Sequence, residues 1–64
     1  MVKINGEEFN AQGKTVAEYL AGAGYDQKRI AVELNGEIVP KSKYGETALC
    51  DGDSVEIVSF GGGG

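Results

Sequence analysis

Apolar and polar residues alternate along several short stretches of this chain, and the stretches are separated by residues that turn a backbone. Val2-Lys3-Ile4 reads as a half-buried strand. Asn5-Gly6 follows, a pair that favours the type I′ hairpin turn because both residues tolerate positive φ. Residues 7–11 then form the returning strand, with Phe9 its expected core residue. Ile30-Ala31-Val32-Glu33-Leu34 alternates again and sets Ile30, Val32 and Leu34 on a core face. Asn35-Gly36 predicts a second hairpin, which returns through Glu37-Ile38-Val39 and ends at Pro40, a residue with no N–H for a ladder. Residues 41–46 read as a loop with room for a helical turn around Tyr44, and Cys50-Asp51-Gly52-Asp53 as a tight turn. The last strand, residues 54–60, puts Val55 and Ile57 on one face and Val58 and Phe60 on the other.

Between the hairpins the period changes. Val16, Tyr19, Leu20 and Ala23 recur at helical spacing and predict one apolar face. Thr15 and Glu18 stand three apart just ahead of this run, the capping-box pattern in which each side chain satisfies the other's backbone N–H. Gly22 and Gly24 end the helix within about two turns, since glycine suits the left-handed position after a helix. Gly13-Lys14-Thr15 resembles the end of a phosphate-binding loop, but that motif needs a glycine where Glu8 stands. A helix start is the better reading.

The order hairpin, helix, hairpin, turn, final strand predicts an α+β domain. One main helix packs on one face of a mixed four- to five-stranded sheet and buries Val2, Ile4, Val16, Leu20, Val32, Leu34, Val55 and Ile57. A sheet with one covered face needs alternating strands, and these alternate. This is the order of a ubiquitin-like β-grasp, whose final strand inserts centrally beside the first. Residues 1–60 are the expected domain and residues 61–64 a flexible C-terminal tail.

Composition narrows the chemistry. At 64 residues there is room for one small domain. The net charge of −4 and scattered basic residues argue against nucleic acid, which requires a basic footprint. Excess negative charge aids solubility or steers the chain to a basic partner. A single cysteine, Cys50, excludes an internal disulfide and a thiolate metal cluster, and Cys50 is expected to be a small, partly buried packing residue. Without histidine there is no Ser-His-Asp or Cys-His catalysis and no common zinc constellation. No metal site, no membrane-length apolar run and no basic-then-apolar leader is expected, so a reduced cytoplasmic setting is the default.

The chemistry that remains lies at the end. Gly61, Gly62, Gly63 and Gly64 follow Phe60 with no side chains. Extended, they carry the terminal carboxylate about 14 Å beyond Phe60, at ~3.5 Å per residue. Such an end is either a frayed terminus or a carboxylate threaded into another protein's active site.

Thr15-Val16-Ala17-Glu18-Tyr19-Leu20, the run from Ile30 to Pro40, Leu49-Cys50-Asp51-Gly52-Asp53-Ser54-Val55-Glu56-Ile57 and the terminal glycines stand here in one order and at one compact size. Over essentially its whole length the chain resembles the ThiS family, the sulfur carriers of thiamin biosynthesis. The resemblance implies a cosubstrate and not an enzyme, contributing no acid, base or metal ligand of its own. It implies that a ubiquitin-activating-type adenylyltransferase, using ATP and Mg²⁺, joins the Gly64 carboxylate to AMP. Sulfur from a donor such as a cysteine desulfurase then leaves a thiocarboxylate on Gly64, which thiazole synthase consumes. No cofactor is bound by the carrier itself. Gly63 and Gly64 fit this chemistry because a Cβ near the acyl carbon would crowd the attacking groups. Family members keep a Gly-Gly end but often place another residue earlier, so the four-glycine run departs mildly.

Val58 and Phe60 are the expected partner-docking residues, because their parity sets them away from the helix-covered face beside the tail. The alternative for Phe60 is to fold over the edge of the core, since parity is least binding at a strand end. Asp51 and Asp53 either pair with cations on a partner or simply build their turn. The nearest rival function is the small subunit of molybdopterin synthase, which shares fold and chemistry but tends to be longer. Carriers for tRNA thiolation or amino-acid synthesis are further options, and a β-grasp interaction module with an idle tail is the rival of a different class.

Overall fold

The computed structural model describes residues 1–60, and residues 61–64 lie outside it. Five strands form one mixed sheet: β1 (Val2–Ile4), β2 (Glu7–Phe9), β3 (Ile30–Leu34), β4 (Glu37–Val39) and β5 (Ser54–Ser59), in the spatial order β2-β1-β5-β3-β4. One helix, α1 (Val16–Ala23), and two short 3₁₀ turns, Gln27–Arg29 and Lys41–Lys43, complete the elements. The final strand is therefore central, parallel to β1 and antiparallel to β3, as a β-grasp requires.

Both hairpins turn as their Asn-Gly pairs dictate. Asn5 and Gly6 have φ of 51° and 86°, Asn35 and Gly36 of 53° and 88°, the paired positive values of a type I′ turn. The asparagines then do a second job that hairpin spacing does not reveal. Asn5 Oδ1 accepts from the Ile57 N–H at 2.7 Å, and Asn5 Nδ2 donates to the Ile57 carbonyl at 3.3 Å. Asn35 Oδ1 accepts from the Ser54 N–H at 2.9 Å, while its Nδ2 donates to Asp53 Oδ1 at 3.0 Å. Each turn thus clasps β5 from one side.

The helix start is fully accounted for. The Thr15 hydroxyl accepts from Glu18 N, and Glu18 Oε1 accepts from Thr15 N at 2.8 Å, the reciprocal box. Val16 N donates to the Thr47 carbonyl and Ala17 N to the Tyr44 carbonyl, so the first orphan donors of α1 are all taken. At the other end Gly24 has φ of 83°, with Gly24 N donating to Ala21 O and Tyr25 N to Leu20 O. This is a Schellman cap, whose following residue, Tyr25, packs back on the core.

The core joins Val2, Ile4, Ile30, Val32, Val55 and Ile57 of the sheet to Val16 and Leu20 of the helix, with Leu34 half-buried beside them. Ala11, Tyr44 and Leu49 from connecting segments fill the rest. Four expectations need correction. Phe9 is 37% exposed, because β2 is an edge strand and its ring meets the edge of Tyr19 rather than the sheet interior. Strand pairing stops at Phe9, so the return strand is shorter than residues 7–11, and Ala11 is the buried residue there. Ala23 is exposed, since the last turn of α1 carries it past the sheet and Tyr25 supplies the cover. Cys50 is exposed, its N–H bonded to Asp53 Oδ2 at 2.8 Å as part of the turn.

Tyr44 is only 2% exposed, although it stands in a polar stretch. Its burial raises the hydroxyl above the usual tyrosine pKa, and a backbone hydrogen bond at Val32 offsets this in part. The folded state therefore holds that proton longer than the unfolded chain. The associated stability is present below the ordinary tyrosine range and is lost as pH rises through the folded value. Urea melts against pH should show this alkaline loss, reduced in Tyr44→Phe.

Two further substitutions separate the core from the clasp. Leu20→Ala should cost ~2–5 kcal/mol by opening a cavity under α1. Asn5→Gly keeps the positive φ but loses both bonds to Ile57, and should cost ~1–3 kcal/mol. Chemical denaturation checks both, and an Asn5→Gly chain as stable as the parent would show that the clasp contributes nothing.

Candidate functional site

The site begins where β5 ends. Because β5 alternates, Val55 and Ile57 point into the core while Glu56 and Val58 point to the face that α1 leaves uncovered. Val58 is 54% exposed and lies opposite Ala31 of β3. On the same face Glu56 lies opposite Glu33, and Glu33 opposite Ile38, which is 71% exposed. Two like charges directly across a sheet are mutually unfavourable. The uncovered surface thus combines exposed apolar side chains with acidic ones, and Lys3 of β1 lies on the same face.

Phe60 lies one residue past β5 and is 52% exposed. Its N–H continues the ladder, donating to the Arg29 carbonyl at 2.9 Å. Its ring centroid lies 5.6 Å from Lys41 Nζ. The same ammonium donates to the carbonyls of Gln27 at 2.8 Å and Ile30 at 2.6 Å, and stands 5.8 Å from the Tyr44 ring. An ammonium within about 6 Å of a ring centroid is attracted to its face. Lys41 escaped the sequence reading because it is one charged residue in a polar loop. Its reach back to the start of β3 depends on the tertiary course of the chain.

Val58 and Phe60, two residues apart in the chain, therefore remain accessible, with Val58 on the open sheet face and Phe60 against Lys41. Gly61, Gly62, Gly63 and Gly64 lie outside the described residues. The Asp51–Asp53 turn is built by its own bonds: Asp53 accepts from Cys50 N and Asn35 Nδ2, and Asp51 pairs with the Met1 ammonium. Among the described residues no three His, Cys, Asp or Glu side chains converge on a metal-sized site. No helix of the described residues is long and apolar enough to cross a membrane. A groove of about 330 Å³ beside β4 is lined by Ile38, Pro40, Lys43 and Thr47 among others, with no nucleophile–base pair in it.

Comparison with known proteins places this arrangement. The ThiS family model matches residues 2–64. The sulfur carrier protein ThiS of Bacillus subtilis is 39% identical, with 100% of both chains covered. A thiazole synthase of Paramagnetospirillum magneticum is 53% identical over 95% of this chain. The chain spans only 19% of that protein's length, and 20% of a second thiazole synthase, from Magnetococcus marinus. The crystal structure of a thiamine biosynthesis protein (ThiS) from Geobacter metallireducens superposes with a TM-score of 0.80 at 34% identity, covering 98% of this chain and 97% of that one. The sheet order, the single capped helix and the match over nearly every residue lead to one assignment: the chain belongs to the ThiS family.

Proposed function

We propose that the chain is a sulfur carrier of thiamin biosynthesis whose reactive group is the Gly64 carboxylate. The observation that carries this reading is positional. The central strand of a ThiS-family fold ends at Ser59, Phe60 follows, and the family match extends through the glycine run 61–64. A carboxylate is a poor acyl donor until one oxygen becomes a leaving group. A ubiquitin-activating-type adenylyltransferase supplies that step: a carboxylate oxygen attacks the α-phosphorus of Mg²⁺-bound ATP and pyrophosphate departs. The terminal sulfur of a persulfide, formed by a donor such as a cysteine desulfurase, then attacks the acyl carbon and expels AMP. A thiol then attacks the donor-side sulfur of this acyl disulfide, forming a new disulfide with the donor and releasing the thiocarboxylate. The carrier offers position and an unhindered carbon, and the partners perform the catalysis.

Thiazole synthase is the proposed acceptor, supported by the likeness to segments of two proteins of that name. The full-length match to a ThiS carrier favours thiamin over molybdopterin synthesis. Val58 and Phe60 are the proposed docking residues, with the Glu33–Glu56 pair receiving a basic group of the partner. The domain ends at residue 60 in this scheme, and residues 61–64 act as its reactive arm.

The docking role predicts that Val58→Asp or Phe60→Asp weakens binding to the activating enzyme or to thiazole synthase by tenfold or more, about 1.4 kcal/mol. For Val58→Asp the accompanying loss of stability should be ~1 kcal/mol or less. Titration calorimetry and thermal melts on the same variants separate the two effects. A large loss of stability with unchanged affinity would return the residue to a structural role.

The arm predicts a sharper result. Deleting Gly64 shortens the reach by ~3.5 Å, and extending the chain blocks the carboxylate. A displacement of ~1 Å can cost about a hundredfold in rate, so both changes should abolish or severely slow modification while leaving the melting temperature unchanged. Gly61→Ala, which keeps length and terminal pair, should be milder. Intact mass after incubation with adenylyltransferase, ATP, Mg²⁺ and a sulfur donor reads out the exchange of one oxygen for one sulfur. An extended chain modified as fast as the parent would refute the role of Gly64.

A further inference from the structure

The two hairpin turns carry the same three residues, Asn5-Gly6-Glu7 and Asn35-Gly36-Glu37. The backbone nitrogen that follows an asparagine is a nucleophile within reach of that residue's own side-chain Cγ, and a glycine there leaves the attack unhindered. Both glycines are exposed, and a Cβ built on either would meet nothing within 4 Å. What restrains the reaction is β5. Gly6 leads toward β2 and Gly36 toward β4, each on the side of its hairpin away from β5. Each asparagine side chain reaches the opposite way, to β5, and so draws its Cγ from the nitrogen that would attack it.

The two restraints differ in strength. Asn5 holds the backbone of Ile57, a buried residue inside the central strand, at 2.7 and 3.3 Å. Freeing it means parting β1 from the middle of the sheet. Asn35 holds Ser54, the exposed first residue of β5, at 2.9 Å, and its Nδ2 donates to the Asp53 side chain at 3.0 Å in a contact open to solvent. Freeing it needs only fraying at a strand end and rotation of one side chain. Local opening is least costly where bonds are exposed and few contacts are lost.

We propose that Asn35 is a site of spontaneous modification, at which the folded chain converts to aspartate and isoaspartate, while Asn5 is protected by the strand it clasps. The Gly36 nitrogen, its proton passed to a base in solution, bonds to Asn35 Cγ. The Cγ–Nδ2 bond breaks, and ammonia leaves with a proton taken from water. A second water opens the five-membered imide at either carbonyl. Aspartate puts an anionic oxygen where Nδ2 faced Asp53, so a hydrogen bond becomes a contact between like charges. Isoaspartate routes the backbone through the former side chain, adding a methylene to a turn whose residues hold φ of 53° and 88°. Both products weaken the hold of this turn on the start of β5.

Chain kept folded in neutral buffer, and chain kept unfolded in concentrated urea, are sampled over time and digested. Peptide mass spectrometry scores aspartate and isoaspartate at both positions. Unfolded, the two should react within about threefold of each other, because their local sequences match. Folded, both should slow, and Asn35 should outpace Asn5 by about tenfold or more. A folded chain in which Asn5 reacts as fast as Asn35 would overturn the proposal. Asp53→Ala, which frees Nδ2, should quicken Asn35 severalfold and leave Asn5 unchanged. Equal quickening at both positions would show global loosening and overturn the local account. Asn35→Asp supplies one product directly: its urea midpoint should fall below the parent's and recover in part with added salt, which screens the repulsion. A midpoint equal to the parent's at low salt would overturn the consequence for β5.

Discussion

The arrangement depends on one strand being held from both sides. β5 lies between β1 and β3, parallel to one and antiparallel to the other. It also gives the core Val55 and Ile57. The parallel pairing with β1 is brief, Lys3 to Ser54 and Ile4 to Val55. Short parallel ladders are slightly weaker per residue than antiparallel ones. Asn5 extends this one with two side-chain bonds to Ile57, and Asn35 secures the strand's other end at Ser54. The same residues that turn the hairpins therefore also lock the central strand. β5 is also the strand that leads to Phe60 and the glycine run 61–64.

Most of the architecture was legible because it is local. Asn-Gly pairs demand positive φ, a T-x-x-E sequence caps a helix, and alternation assigns faces. Those rules located both hairpins, the helix start and the core residues of strands and helix; the central place of the final strand came from the β-grasp order, and Ala11, Tyr44 and Leu49 of the connecting segments were missed. The misses share a tertiary cause. Tyr44 is buried because its carbonyl accepts from Ala17 N and draws the residue over the helix start, which no periodicity in a lysine-rich loop announces. Phe9 obeys parity, opposite Val2, but it stands on an edge strand where half of its surroundings are solvent. Cys50 faces out because the tight turn recruits its N–H.

The candidate site was legible in part. The glycine run and the outward parity of Val58 are properties of sequence alone. The Glu33–Glu56 opposition needed the register of β3 against β5. The Lys41–Phe60 contact joins residues from separate loops and needed the whole fold. Such a division suits a protein cosubstrate. Under the proposed reading the chemistry resides in the Gly64 carboxylate, and a carrier of that kind has no acid–base constellation to recognise.

The central claim is that an oxygen of the Gly64 carboxylate leaves as part of AMP and is replaced by sulfur. The most direct measurement starts with a chain whose terminal carboxylate carries ¹⁸O in both positions. After reaction with adenylyltransferase, ATP, Mg²⁺ and a sulfur donor, the released AMP is analysed by mass spectrometry. The account predicts one ¹⁸O in the phosphate of each AMP, with the other retained on the sulfur-bearing Gly64. AMP free of ¹⁸O, formed while the chain acquires sulfur, would contradict it.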